Sequence, residues 1–251
     1  MNFGELRTEL RDNILHDRSD RVAGDVDYLW TDATLNRYIN EAQRTFARRS
    51  LVLRDSSSAL TRVTLKEGVD LYELHPDILG IVSARLAEDR RDLERTGNAV
   101  IAGHQLPTTS FDPRVVHLGD EPGRPVAFST DDGFELDEEE RLGSIVLRLY
   151  PVPSEEYHDK ELRLRTIRMP CKLEFDLQEP EIPEQYHITM LDWAAYRALS
   201  IVDVDGGMPE RADRFLAMFD RHVGEARREA LRKLKAPVAM QFGGFGWMWE
   251  K

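Results

Sequence analysis

Cysteine is nearly absent from this sequence: Cys171 is the single one in 251 residues. An internal disulfide is therefore excluded, and a reducing place of synthesis is expected. Long hydrophobic runs are missing as well. None approaches the roughly 20 apolar residues of a membrane span, and the first residues, MNFGELRTELRDNILHDR, carry acids and no apolar block, unlike a signal peptide. Positive charge is in deficit, with 34 Lys and Arg against 46 Asp and Glu, a net charge of −12. That balance disfavours a protein whose whole surface grips nucleic acid, since counterion release needs a basic footprint. It is compatible with a surface past which nucleic acid slides. The expectation is a soluble chain made in a cytoplasm, and its 41% apolar residues are enough for a buried core.

Helices are predicted at both ends. Asn2 and Glu5 have the spacing of a capping box, and Phe3, Leu6, Leu10 and Ile14 follow at helical steps. Further on, Thr31 is a good N-cap, and Trp30 and Leu35 have the spacing of a hydrophobic staple. Leu35, Tyr38, Ile39, Ala42 and Phe46 form the expected buried stripe, with Arg44, Arg48 and Arg49 toward the C-terminal end. From Ile188 to Val202 only Asp192 and Arg197 carry charge, which predicts a helix buried nearly all round. After the turn DVDGGMPE, a helix of roughly 40 Å is expected from Pro209 to about Lys235, with Ala212, Phe215, Phe219, Val223, Ala226, Ala230 and Leu234 inward.

Between these helices the texture changes. ALTRVTL and DLYEL alternate as half-buried strands do, and ILGIVSARLA fits strand or helix. RPVAFST, SIVLRLYPVP and KELRLRTIRMP read as three strands of one antiparallel sheet, with Leu147, Leu149, Leu162 and Leu164 inward. The predicted class is α+β: a four-helix bundle of N- and C-terminal helix pairs, an antiparallel β-rich insertion and an extended C-terminal arm. The expected divisions are 1–58 with 179–236 for the bundle, 59–178 for the insertion and 237–251 for the arm.

Motifs that carry chemistry are missing. The seven histidines are scattered without metal-ligand spacing, and there is no HExxH, nucleophile elbow, Walker loop or dinucleotide fingerprint. DVDGG fails as a calcium loop, because Gly207, Met208 and Arg214 stand where an oxygen ligand, a glycine and a glutamate belong. No catalytic residue, metal site or cofactor is expected.

Two segments read as interaction elements. The run DDGFELDEEER is either a solvated hairpin loop or a negative edge that repels DNA or meets a basic partner. Its acids are Asp131, Asp132, Glu135, Asp137, Glu138, Glu139 and Glu140. The last residues, FGGFGWMWEK, hold Phe245, Trp247 and Trp249 two apart, so they share one face when extended. A strap of this kind docks into another protein by strand addition or groove filling. The alternatives are folding back on its own helices and insertion into a membrane.

The order of helix pair, β insertion, long helical hairpin and tail resembles the head-to-tail adaptor (connector) proteins of tailed bacteriophages, and is most similar to the tail-tubular-protein-A-like adaptors of short-tailed phages. The resemblance rests on WTDATLNRYINEAQRTFARRSL (30–51), SIVLRLYPVPSEEYHDKELRLR (144–165) and EIPEQYHITMLDWAAYRALSIVDVDGGMPERADRFLAMFDRHVGEARRE (181–229). It implies a virion structural protein of the neck, assembled in the host cytoplasm. Twelve subunits would form a ring between the portal protein and the tail nozzle, with double-stranded DNA passing through unbound. By position the arm would reach the portal, through Pro237, Phe242, Phe245, Trp247, Met248 and Trp249. The acids 131–140 would face the channel or a nozzle partner. The residues alone also admit an enzyme whose site assembles only in space, or a helical binding or regulatory module.

Overall fold

The computed structural model describes residues 1–17, 29–96, 122–131, 144–201 and 209–234. Helix α1 spans Phe3–Glu9, and the capping box forms as expected: the Glu5 N–H donates to Asn2 Oδ1 at 2.8 Å and the Asn2 N–H to Glu5 Oε2 at 2.9 Å. The helix then loosens into a π-helical stretch, Leu10–Leu15. That wider turn moves the buried stripe by one residue, so Leu15 is enclosed where Ile14 was expected, and Ile14 packs at the margin. It also turns Arg11 inward, where its guanidinium donates to Asp32 at 2.6 Å and to the Trp30 carbonyl at 2.7 Å. The start of the second helix is thereby fastened to the first.

Helix α2, Asp32–Ser50, is capped by the Thr31 side chain and buries all five residues of its expected stripe. It stops without glycine or proline, Leu51 taking the left-handed cap conformation. Helices α3, His187–Leu199, and α4, Pro209–Leu234, come from the other end of the chain. At about 1.5 Å per residue α4 is a rod of nearly 40 Å. All four helices contribute to one buried cluster, in which Phe46 meets the rings of Tyr186 at 5.2 Å and Phe219 at 6.2 Å. Leu173 and Ile182, from the segment that leads into α3, complete it. Helix α3 differs from expectation: Met190, Leu191, Ala194, Ala195 and Ala198 are enclosed, but Ile188 is 59% exposed. It has one buried face rather than burial all round.

The strands form two sheets instead of the single one expected for the three segments above. In the first, β8 (Glu161–Arg168) is central. It pairs antiparallel with β1 (Arg54–Asp55) and β2 (Arg62–Thr64) on one side and with β4 (Ile78–Leu86) on the other. The second has the order β3 (Leu71–Glu73), β7 (Val146–Tyr150), β6 (Ala127–Asp131), β5 (Glu94–Arg95). Its β5–β6 pair is parallel and the others are antiparallel. The reason is that Leu147 and Leu149 of β7 and Leu162 and Leu164 of β8 must face one another across a core. Strands that shared one sheet face would line that core without closing it. The segment ILGIVSARLA resolves as strand, since β4 supplies Ile78, Ile81, Ala84 and Leu86 to the same core.

Truncating Phe46 to Ala is expected to cost about 3–5 kcal/mol, because a fully buried ring between two aromatic neighbours leaves a cavity. Ile188→Ala should change stability by less than about 0.5 kcal/mol. Urea unfolding of both variants measures the contrast, and an equal loss would show that α3 is enclosed on all sides.

Candidate functional site

The helical and the sheet cores are separate clusters, and polar side chains join them. Arg168, at the end of β8, is the centre of that joint. Its Nε donates to Asp55 of β1 at 2.7 Å, while its two terminal nitrogens clasp Glu181 at 2.8 and 2.9 Å. Glu181 in turn accepts the backbone N–H of Cys171 at 2.7 Å. Burial by itself would raise the Asp55 pKa. Hydrogen bonds from Ser58, from the Ser57 and Ser58 backbone and from Arg168 outweigh it, and hold this carboxyl well below the usual carboxylate range. Arg168 is raised, first by its hydrogen bond to Glu181. Glu181 is lowered, first by its hydrogen bond from Arg168. The network is a fixed set of charges.

Helix α2 holds the neighbouring strap, residues 171–173. Asn40 donates to the Leu173 carbonyl at 3.0 Å and accepts the Leu173 N–H at 2.8 Å, as a paired strand would. Gln43, wholly buried, donates to the Cys171 carbonyl at 2.9 Å. On the far side, Arg54 of β1 hydrogen-bonds the Ala230 carbonyl in the last turns of α4. The C-terminal end of α4 is thus tied to the edge of the first sheet.

Catalytic chemistry finds little support in these groups. Desolvation and the charge of Glu181 raise the Cys171 thiol, the opposite of what activates a nucleophile. Among the described residues no group of three or more His, Cys, Asp or Glu is placed to hold a metal ion. The buried His187 is satisfied by donating to the Ile182 carbonyl at 2.8 Å. One titratable pair crosses α3 and α4: Asp192 lies 3.3 Å from His222, and burial pushes its carboxyl up to about 6 while His222 pulls it partway back. Among the described residues, one smaller and one larger open groove are lined by the sheets. In the smaller, Arg124 pairs with Asp89 at 2.6 Å and Lys160 with Glu88 at 3.2 Å, and Glu156 and Glu161 leave the lining acidic. The larger, about 300 Å³, holds four arginines on the outer face of the first sheet.

Of the residues singled out from sequence, Asp131 is the last of β6 and pairs with Val146 of β7. Asp132, Glu135, Asp137, Glu138, Glu139 and Glu140 lie outside the described residues, on the connection between those strands. Pro237, Phe242, Phe245, Trp247, Met248 and Trp249 also lie outside them, beyond the end of α4. The structure brings together a set that sequence reading missed: Arg168, Asp55 and Glu181, which lie 113 and 13 residues apart along the chain. Glu181 fell in a quoted segment, but nothing in its neighbours points to Asp55.

Helices at both chain ends that share one core, a two-sheet middle and an end-to-end polar clamp describe a scaffold. The SU10 adaptor protein family model matches residues 1–241, and the chain belongs to that family. It is a phage head-to-tail adaptor family, structural rather than catalytic, as the resemblance implied. No curated protein matches the chain. The family match stops one residue before Phe242, so the five aromatic and methionine positions assigned to the arm fall beyond it.

Arg168→Ala strands two carboxylates at the joint, and about 3 kcal/mol of stability should be lost at neutral pH. Asp55 and Glu181 favour folding above about pH 4 and lose that contribution as pH falls through their depressed values. The variant's deficit should therefore shrink in acid, as read by urea unfolding across pH. Asp192 has the opposite sign. Its raised value favours folding below about pH 4, and that is lost as pH rises toward 6. Asp192→Asn should gain on the wild type over that window, and a constant difference would refute the assignment.

Proposed function

We propose that this chain is a structural adaptor of the virion neck, assembling as a twelve-subunit ring that joins the portal to the tail nozzle and extends the channel for DNA exit. The family match over residues 1–241 carries this reading. The helical cluster, residues 1–58 with 179–236, acts as the ring-building unit, and the β insertion, 59–178, projects from it. The arm, 237–251, reaches the portal, and Pro237, Phe242, Phe245, Trp247, Met248 and Trp249 make that contact. Supporting this, α4 is a stiff rod of 26 residues whose last turns are braced on β1 through Arg54, so a segment leaving it starts from a fixed place. Alternate aromatic side chains then offer a few kcal/mol each on burial, before the cost of ordering the segment. Double-stranded DNA passes the ring without being held, in keeping with a chain of net charge −12.

Deletion of residues 237–251 should leave a folded protein that no longer joins DNA-filled heads to tails in an assembly assay. Normal binding of the truncated chain to isolated portal would refute the arm assignment. Unfolding of the truncated monomer, seen by circular dichroism, would instead show that the aromatics pack on their own helices.

A further inference from the structure

The outward face of the first sheet carries a charge pattern that does not serve its own stability. Arg62 on β2 stands directly opposite Arg163 on β8, and Arg163 stands directly opposite Arg85 on β4. Opposed like charges on adjacent strands, about 5 Å apart, repel. Arg165, two residues along β8 and so on the same face, opposes Ser83. One carboxylate reaches the row among the described residues: Glu161 accepts from Arg163 Nε at 2.9 Å and lies 3.9 Å from Arg62 Nε. Arg85 and Arg165 have no hydrogen bond or ion pair there. Four guanidinium groups and flanking serines thus line an open groove of about 300 Å³ on a chain of net negative charge. Such a surface is built for a multiply charged anion.

The chain itself contains the complement. Residues 131–140 hold seven acids and no base. They connect β6 to β7, in the second sheet, whereas the arginines are on the outer face of the first, with the shared core between. The acidic connection of one molecule therefore starts on the far side of its own sandwich, an obstacle that a second copy does not meet. We propose that the face formed by Arg62, Arg85, Arg163 and Arg165 binds the acidic segment 131–140 of a second copy of this chain. Guanidinium forks take carboxylates two bonds at a time, and strand spacing of about 4.8 Å sets them in a row that an extended acidic segment can follow. Each copy offers one basic face and one acidic segment, so the contact is head-to-tail, the kind that closes into rings. This deepens the ring reading, on which it rests. It gives the acids a neighbouring subunit in place of the channel or nozzle.

The test uses the full chain and two charge reversals, Arg85→Glu/Arg165→Glu and Glu138→Lys/Glu139→Lys/Glu140→Lys. Each alone should weaken self-association about tenfold or more in sedimentation velocity, the scale of losing one close charge pair. The 1:1 mixture should restore it, because each variant then supplies what the other lacks. Wild-type self-association should also weaken with added salt. Two variants that associate like wild type would overturn this contact while leaving the ring reading standing. A mixture that fails to recover would overturn it too, as expected if the segment folds onto its own chain. Loss of binding to a double-stranded DNA oligonucleotide by the arginine variant, with self-association intact, would give the face to DNA. A wild-type chain that stays monomeric at every concentration would remove both readings.

Discussion

The Arg168 guanidinium holds Asp55 and Glu181 at once, and through them it joins β1, the end of β8 and the segment entering α3. Hydrophobic burial contributes here through Leu53 and Ile167, but the helical and sheet clusters remain separate. Non-directional apolar contact would also leave the two free to slide. Three charge-assisted hydrogen bonds from one planar group fix both distance and angle. The cost is a set of largely buried charges, and each carboxylate offsets it only while the arginine is present.

That joint has consequences away from it. The strap at 171–173 runs between Arg168 and Glu181, and Asn40 and Gln43 bind its backbone from α2. Arg54, next to Asp55, reaches the last turns of α4. The end of α4 and the start of the first sheet are therefore tied next to the Arg168 joint.

Much of the helical part was legible. The capping box at Asn2, the Thr31 cap and the stripe of α2 are local patterns whose physics acts within a few residues, so they read directly. The π-helical turn after α1 did not. It places Arg11 against Asp32 and Trp30, about twenty residues away, and no local pattern signals that contact. Helix α3 looked apolar on every side, yet Ile188 is exposed, since composition counts residues and says nothing of where the neighbouring helices stand. The strands were found, but their division into two sheets was not, because period-two alternation gives the face of a strand and never its partner. Among the candidate sites, the acids and the arm were legible as charge and aromatic pattern, while the arginine face needs the register of β2, β8 and β4 to exist at all.

By itself the sequence determined the mixed helix-and-strand class, the buried stripe of α2 and a resemblance to phage adaptors, which the family match bears out. These follow from periodicity and from motif order, both of which are properties of a line. The tertiary structure alone decided that β7 and β8 face each other from different sheets, that Arg168 closes the joint and that four arginines meet on one face. Each of these depends on groups far apart in the chain being brought within a few ångströms. That proximity comes from the packing of both cores together, and no local stretch of residues encodes it.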